Sequence, residues 1–240
     1  MRLRFLGTRG EIEVRTRRHW RHSSLLVAYR RREVMIDCGL DWRDRLARVH
    51  PAAIVLTHAH PDHAAGLRDG APCPVYAPAE AWSAIDRYPI ADRGVVEPRR
   101  PLAVLGIEFE AFPVEHSLRA PAVGYRVTAG RAVVFYAPDL VSIGDEPEAL
   151  SGLDLYVGDG AAVRRSIVRR RDGRAIGHAS IRAQLAWCAS AGVRRAMFTH
   201  CGSEIVKGDA RTVASAVRAL GSEHGIEARI AHDGLEFTLT

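Results

Sequence analysis

Short apolar runs, many of them alternating with polar residues at a period of two, recur along the chain between clusters of turn residues. Residues 2–6, Arg-Leu-Arg-Phe-Leu, predict a first strand closed by the turn Gly7-Thr8-Arg9-Gly10. Runs at 24–29 and 33–37, separated by Arg30-Arg31-Arg32, predict a hairpin that ends at Asp37-Cys38-Gly39. A helix over 41–48 leads into a strand at 53–57, then a short helix over 62–69, a strand at 74–77 and a helix over 78–87. Strands are expected at 102–105, 107–114, 122–128 and 131–137, with a short helix near 145–150 and a strand at 153–158. After a basic loop come a helix over 179–191, a strand at 195–199, a helix over 209–220 and strands at 226–231 and 235–239. The pattern predicts a mixed α/β domain.

Composition narrows this picture modestly. At 240 residues and 47% hydrophobic content the chain suits one large domain, 1–240, without a repeat, low-complexity tract or Pro/Gly/Ser linker. No apolar run is long enough to cross a bilayer, and Gly7 arrives too early for a signal peptide, so a cytoplasmic protein without membrane contact is expected. Cys38, Cys73, Cys188 and Cys201 are scattered, with no C-x-x-C pair, and are expected to be reduced. The net charge of +6 is carried almost wholly by arginine, Lys207 being the only lysine. That balance suits phosphate-bearing partners, and equally fits an arginine- and alanine-rich base bias.

The densest chemistry lies in residues 54–63, Ile-Val-Leu-Thr-His-Ala-His-Pro-Asp-His. An apolar strand leaves its sheet carrying His58, His60, Asp62 and His63. Three imidazoles and a carboxylate are costly to bury unless something binds them, and a divalent metal accepts both ligand types. In extended backbone His58 and His60 face the same side, Pro61 suits the first turn of a helix, and the adjacent Asp62 and His63 diverge.

This run resembles the H-x-H-x-D-H signature of the metallo-β-lactamase superfamily, and the resemblance extends along nearly the whole chain. It implies a four-layer αββα sandwich, two mixed β-sheets flanked by helices. It also implies that His58, His60 and His116 hold one metal, that Asp62, His63 and His200 hold another, and that Asp139 bridges them. His116, Asp139 and His200 each follow an expected strand, where each alone would read as a turn or cap residue. Five histidines and two aspartates favour two zinc ions, with manganese or iron as alternatives. Two cations about 3.5–4 Å apart would acidify a shared water to hydroxide near neutrality.

Three features point toward phosphodiesters, the first two by resemblance to the ribonuclease Z and small phosphodiesterase branch. Gly7-Thr8-Arg9-Gly10 with Ser23-Ser24 matches its opening turn and strand. Gly177-His178-Ala179-Ser180 matches the motif whose histidine protonates the leaving oxygen; Asp159 would replace the glutamate that orients it. Asp62, His178 and Asp159 are thus the catalytic candidates. Between those motifs, Arg164, Arg165, Arg169 and Arg170 form either a solvated loop or a flap that contacts phosphates. His22 and His232 are candidate pocket residues; His19, His50 and His224 read as surface or structural. The stretch between His116 and Asp139 is too short for the long tRNA-grasping arm of many ribonuclease Z enzymes. The resemblance implies a dinuclear phosphodiesterase acting on a phosphate ester in RNA, DNA or a cyclic nucleotide, with a homodimer left open. A metallo-hydrolase of thioesters or lactones, and a basic nucleic-acid-binding protein with vestigial activity, are the alternatives.

Overall fold

Leu3 and Phe5 of the first strand pack into one apolar cluster and Leu6 into another, and the same division repeats strand after strand. Leu25, Val27, Val34, Ile36, Ala53 and Val55 join Leu3 and Phe5, whereas Leu26, Met35 and Ile54 join Leu6. Period-two alternation thus gives each strand one face toward a central core and one toward an outer layer. The computed structural model describes residues 1–239.

The first sheet contains β1 (Arg2–Gly7), β2 (Ser24–Tyr29), β3 (Arg32–Ile36), β4 (Ala53–Val55), β5 (Val75–Pro78) and β6 (Arg93–Val96), with the last strand of the chain (Glu236–Thr238) beside β1. Helices α1 (Leu46–Val49), α2 (Pro61–Ala64) and α3 (Ala79–Ala84) accompany it, and its outer cluster holds Trp42, Leu46, Ala64, Leu67, Ala81 and Trp82. The second sheet is built on β7 (Leu102–Val104), β8 (Ile107–Glu115), β9 (Ala122–Ala129), β10 (Ala132–Tyr136) and β11 (Ser142–Ile143), and continues past α4 (Glu146–Leu150) into β12 (Leu155–Asp159). An exposed hairpin, β13 (Ile167–Arg171) with β14 (Arg174–His178), precedes α5 (Ile181–Ser190) and β15 (Arg195–Thr199). Then come α6 (Ser203–Lys207), α7 (Ala210–Ser222), β16 (Glu227–Ile230) and β17 (Glu236–Thr238).

Val123, Tyr125, Val127, Val134, Tyr136, Leu155 and Val157 face the shared core from the second sheet, while Phe135, Tyr156 and Phe198 face Ile181, Leu185, Val217 and Leu220 of α5 and α7. The order is therefore helix, sheet, sheet, helix, as expected. Among the described residues no helix is long and apolar enough to cross a membrane, and all four cysteines are free.

The structure corrects the expected elements in several places. The helix over 41–48 is a 3-10 turn, Leu40–Trp42, followed by one helical turn. The strand at 53–57 pairs only as Ala53–Val55, because Leu56 and Thr57 already lead into the ligand run. β6, β11 and α6 were not expected. The basic loop is a hairpin: Asp172 (φ 52°) and Gly173 (φ 76°) both adopt the left-handed backbone that a tight two-residue turn requires.

Candidate metal centre

The strand ends bearing the candidate ligands converge on one rim. β10, β12 and β15 are parallel neighbours, so Asp139, Asp159 and His200 emerge on the same side of the second sheet. From the first sheet, β4 delivers His58 and His60, and Pro61 opens α2, which carries Asp62 and His63. His116 follows β8. Backbone bonds from Gly10 N to Cys201 O and from Cys201 N to Thr8 O stitch the loop after β1 to the turn after β15. A Cβ on Gly10 would lie 3.0 Å from the His200 ring, so the second glycine of Gly-Thr-Arg-Gly permits this approach.

Two groups of donor atoms result. Those of His58, His60, His116 and Asp139 lie within 4.8 Å of one another, and so do those of Asp62, His63, Asp139 and His200. His58 Nε2 is 3.0 Å from His60 Nδ1, which is 3.2 Å from His116 Nε2. Metal–nitrogen bonds of about 2.0–2.1 Å in a tetrahedron place ligand atoms roughly 3.3 Å apart, close to these separations. Asp139 belongs to both groups. Its Oδ2 is 3.4 Å from His58 Nε2 and 2.8 Å from His63 Nε2.

Surrounding hydrogen bonds fix which nitrogens carry lone pairs. His63 Nδ1 donates to Asp37 Oδ2 at 2.9 Å, and His116 Nδ1 donates to Gly177 O at 3.0 Å. Thr57 Oγ1 donates to Asp37 and therefore accepts from His58 Nδ1 at 3.0 Å. Each of these three rings then turns a bare Nε2 inward. His60 Nδ1 carries at most one proton, yet it faces two such lone pairs, those of His58 and His116. His63 Nε2, Asp139 Oδ1 and His200 Nδ1 are buried without a hydrogen-bond partner among the described residues. His200 Nδ1 is only 2.9 Å from Asp139 Oδ1, but the two atoms are not aligned for a hydrogen bond. His200 Nε2 and Asp62 Oδ2 bond each other at 3.1 Å. His63 Nε2, Asp139 Oδ1 and His200 Nδ1, however, converge on common points without such a partner, as a site for divalent cations requires.

The charges agree with this geometry. Burial opposes ionisation of Asp62, but His63 and His200 hold its carboxyl well below the usual range. Burial likewise opposes ionisation of Asp139, and His200, His116 and His63 outweigh it. His58 is driven well below the ordinary imidazole value by burial and by His63, and His60 falls to about 4 for the same reason beside His116. Asp62 and Asp139 are thus held as carboxylates and His58 and His60 as neutral imidazoles. Burial is outweighed at His63 by Asp62, Asp37 and Asp139, and at His200 by Asp139, so both rings are raised well above the ordinary value. Carboxylate and imidazole are the donor types that zinc, manganese and iron accept.

His178 stands at the edge of this cluster. Its Nδ1 donates to Asp159 Oδ2 at 2.8 Å and lies 3.4 Å from Asp139 Oδ1. Asp159 is fully buried and is itself held by the amides of Ala161 and Leu140. Burial lowers the basicity of His178, but Asp159 outweighs it and raises the ring above its ordinary value. Gly177 (φ 123°) brings the ring into place, because a Cβ there would lie 1.9 Å from Ile167 O.

A cavity of about 510 Å³ opens over the cluster, lined by His60, Asp62, His116, Asp139, His178 and His200 and rimmed by Glu11, Arg165, Ile167 and Glu204. Of the residues expected to contact substrate, only Arg165 reaches it. Arg169 and Arg170 border a separate cavity with Arg119, because the hairpin runs away from the rim, and Arg164 is exposed outside both. His22 is buried against Asp41, its Nδ1 3.0 Å from Oδ2, and burial with Arg9 beside it lowers its pKa to about 4. His232 bonds the carbonyl of Asp233. These four elements of the expected contact set, Arg164, Arg169 with Arg170, His22 and His232, lie off the cavity. Asp37 was read only as a hairpin end. The pairing of β3 with β4, which sets it against Thr57 and His63, is not legible in the sequence.

Fold and site together define a metallo-β-lactamase-type sandwich with a His/Asp cluster on its sheet rim. The family description "Beta-lactamase superfamily domain" matches residues 32–201, and the chain belongs to that superfamily. It is 32% identical over 145 residues to a ribonuclease Z from Methanopyrus kandleri, a match covering 52% of this chain and about half (49%) of that protein's length. It is 24% identical over 221 residues to a ribonuclease Z from Mycobacterium bovis, covering 74% and 78% of the two chains. Among solved structures, a diphosphatase from the PhnP family aligns with a TM-score of 0.74 at 24% identity, covering 99% of this chain and 97% of that one.

Proposed function

We propose that the chain is a dinuclear metal-dependent phosphodiesterase acting on a nucleotide or nucleic-acid ester. The observation that carries this reading is the His178–Asp159 pair, 2.8 Å apart, set beside two donor groups that share Asp139. His58, His60 and His116 would hold one divalent cation, Asp62, His63 and His200 the other, with Asp139 between them, and zinc suits the set best. The cations would supply Lewis acidity, acidifying water and neutralising charge that develops on phosphoryl oxygens.

The chain's own groups would supply the rest. An alkoxide leaving a phosphodiester needs a proton, and His178 has one to give from Nε2, its Nδ1–H being committed to Asp159. Asp159 holds the ring's orientation and favours its charged form. Arg165 at the cavity rim would pair with a phosphate oxygen. Glu11 and Glu204 on the same rim disfavour a doubly charged phosphate monoester more than a singly charged diester. The ribonuclease Z relatives support RNA as one substrate class, and a cytoplasmic location agrees with the free cysteines.

The test is hydrolysis of bis-p-nitrophenyl phosphate with Zn²⁺ or Mn²⁺. Turnover of the diester well above that of p-nitrophenyl phosphate is expected. No turnover above a His58→Ala/His60→Ala control would count against the proposal, and cleavage of p-nitrophenyl thioacetate alone would move the reading to acyl hydrolysis.

Asp37→Asn gives a second expected result. Asp37 touches no inward-facing donor group directly but fixes both His63 and, through Thr57, His58. Its replacement should weaken metal binding about 10–100-fold, the usual effect of losing an outer partner of a ligand. Competition against a chromophoric chelator measures this, and unchanged affinity would remove Asp37 from the support of the site.

A further inference from the structure

The loop between β1 and β2 borders two cavities. Its Gly10–Ile12 end lines the cavity over the His/Asp cluster, and its Arg17–Arg21 end lines another of about 670 Å³ on the helical side of the first sheet. Buried Arg9 locks this loop, donating to the carbonyls of Trp20, Gly10 and Ile12 and to Asp41 Oδ2 at 2.6 Å. Both ends are therefore held in fixed relation.

The second cavity is basic and aromatic. Arg17, Arg21, Arg45 and Arg48 line it, and none has a carboxylate partner within 4 Å among the described residues. Arg4, also on its wall, reaches Glu236 only at 3.9 Å. The carboxylate on that wall, Asp233, is already occupied by Thr8 Oγ1 at 2.7 Å and by the amides of Trp20 and Arg21. Arg21 Nε is buried with no hydrogen-bond partner, and its guanidinium lies 5.2 Å from the Trp42 ring centre. Trp20 keeps 49% of its surface in solvent although Arg15 stands 5.7 Å from its ring centre. Uncompensated guanidinium groups with an open indole match the requirements of a flexible polyanion that carries flat rings.

We propose that this cavity is a second binding site for single-stranded nucleic acid, with arginines on phosphates and a base stacked on Trp20. It rests on the reading of the His/Asp cluster as a phosphodiesterase site, and it extends that reading from small esters to polymers. A strand lying along the β1–β2 loop contacts this cavity while one of its ester linkages lies over the cluster. A single cyclic nucleotide has no need of such a surface.

The experiment measures binding of a fluorescein-labelled dT12 strand to the metal-loaded protein by anisotropy across a salt series, with an abasic strand of equal length in parallel. Each phosphate contact on a single strand contributes about 0.7 to the slope of log K against log salt. Arg45→Ala/Arg48→Ala should therefore lower that slope by about 1.4 and weaken binding about tenfold, whereas Arg211→Ala/Arg218→Ala on α7 leaves it unchanged. Trp20→Ala should weaken dT12 by about fivefold or more and leave the abasic strand unaffected, about fivefold being the low end of what one stacked base contributes. All three variants should hydrolyse bis-p-nitrophenyl phosphate as the wild type does. Unchanged slope and affinity in the arginine pair, or equal losses for both strands in Trp20→Ala, would overturn the site. Normal strand binding without hydrolysis of any ester would instead sink the phosphodiesterase reading and leave the cavity standing.

Discussion

Asp139→Ala should lower turnover of bis-p-nitrophenyl phosphate by about a thousandfold or more, without unfolding the chain. The expectation follows from its place in both donor groups, its Oδ2 lying 2.8 Å from His63 Nε2 and 3.4 Å from His58 Nε2. Losing a ligand common to two cations forfeits several kcal/mol of charge stabilisation, and about 4 kcal/mol corresponds to a factor of a thousand. Asp139 contributes nothing to the apolar core between the sheets, so the melting temperature measured with chelator present should barely fall. Without chelator, the wild type should gain a large metal-dependent increment that the variant lacks, since a ligand that binds only the folded state stabilises it. Turnover within tenfold of wild type would remove Asp139 from the centre of the site.

His178→Ala should separate substrates by their leaving groups. Hydrolysis of a dinucleotide such as TpT expels a thymidine alkoxide that needs a proton, and loss of a general acid costs about 10²–10⁴ in rate. p-Nitrophenolate needs little protonation, so bis-p-nitrophenyl phosphate should slow by less than about tenfold. Asp159 raises the His178 pKa above its ordinary value against the opposing effect of burial, so the imidazolium persists to higher pH than a free ring. Wild-type TpT turnover should accordingly fall as the pH rises through that raised value, and His178→Ala should lose this alkaline limb. Asp159→Asn keeps the ring but not its charge partner, and should shift the limb to lower pH. Equal losses on both substrates, with an unaltered pH profile, would make His178 structural.

Much of the site was legible because its ligands sit at strand ends, and strand ends follow from alternating apolar residues. His58, His60, Asp62 and His63 lie within six positions, while His116, Asp139 and His200 each terminate an apolar run that reads as a buried strand. Their convergence follows from the parallel pairing of β10, β12 and β15, which the sequence pattern alone does not determine. Asp37 was missed for that reason: it matters only because β3 lies beside β4, which sets its carboxylate against Thr57 and His63. The arginine hairpin was missed for a different one. Its Asp172-Gly173 turn is a strong hairpin signal, but five exposed strand residues, three of them arginine, mask the alternation that marks a half-buried strand. Of the two readings of this stretch, solvated or contacting phosphates, the register favours the first for Arg169 and Arg170, because pairing Ile167 with His178 carries them away from the cluster. His22 and His232 are candidate pocket residues by sequence alone. Their rings are used instead against Asp41 and the Asp233 carbonyl.

The central claim is that two cations share one carboxylate on the rim of the paired sheets. Titrating the metal-free chain with zinc under calorimetry, with metal content confirmed by mass spectrometry, tests it most directly. Two tightly bound equivalents per chain are expected, with one lost in His58→Ala/His60→Ala. Saturation at a single equivalent, or no tight binding in the intact chain, would contradict it.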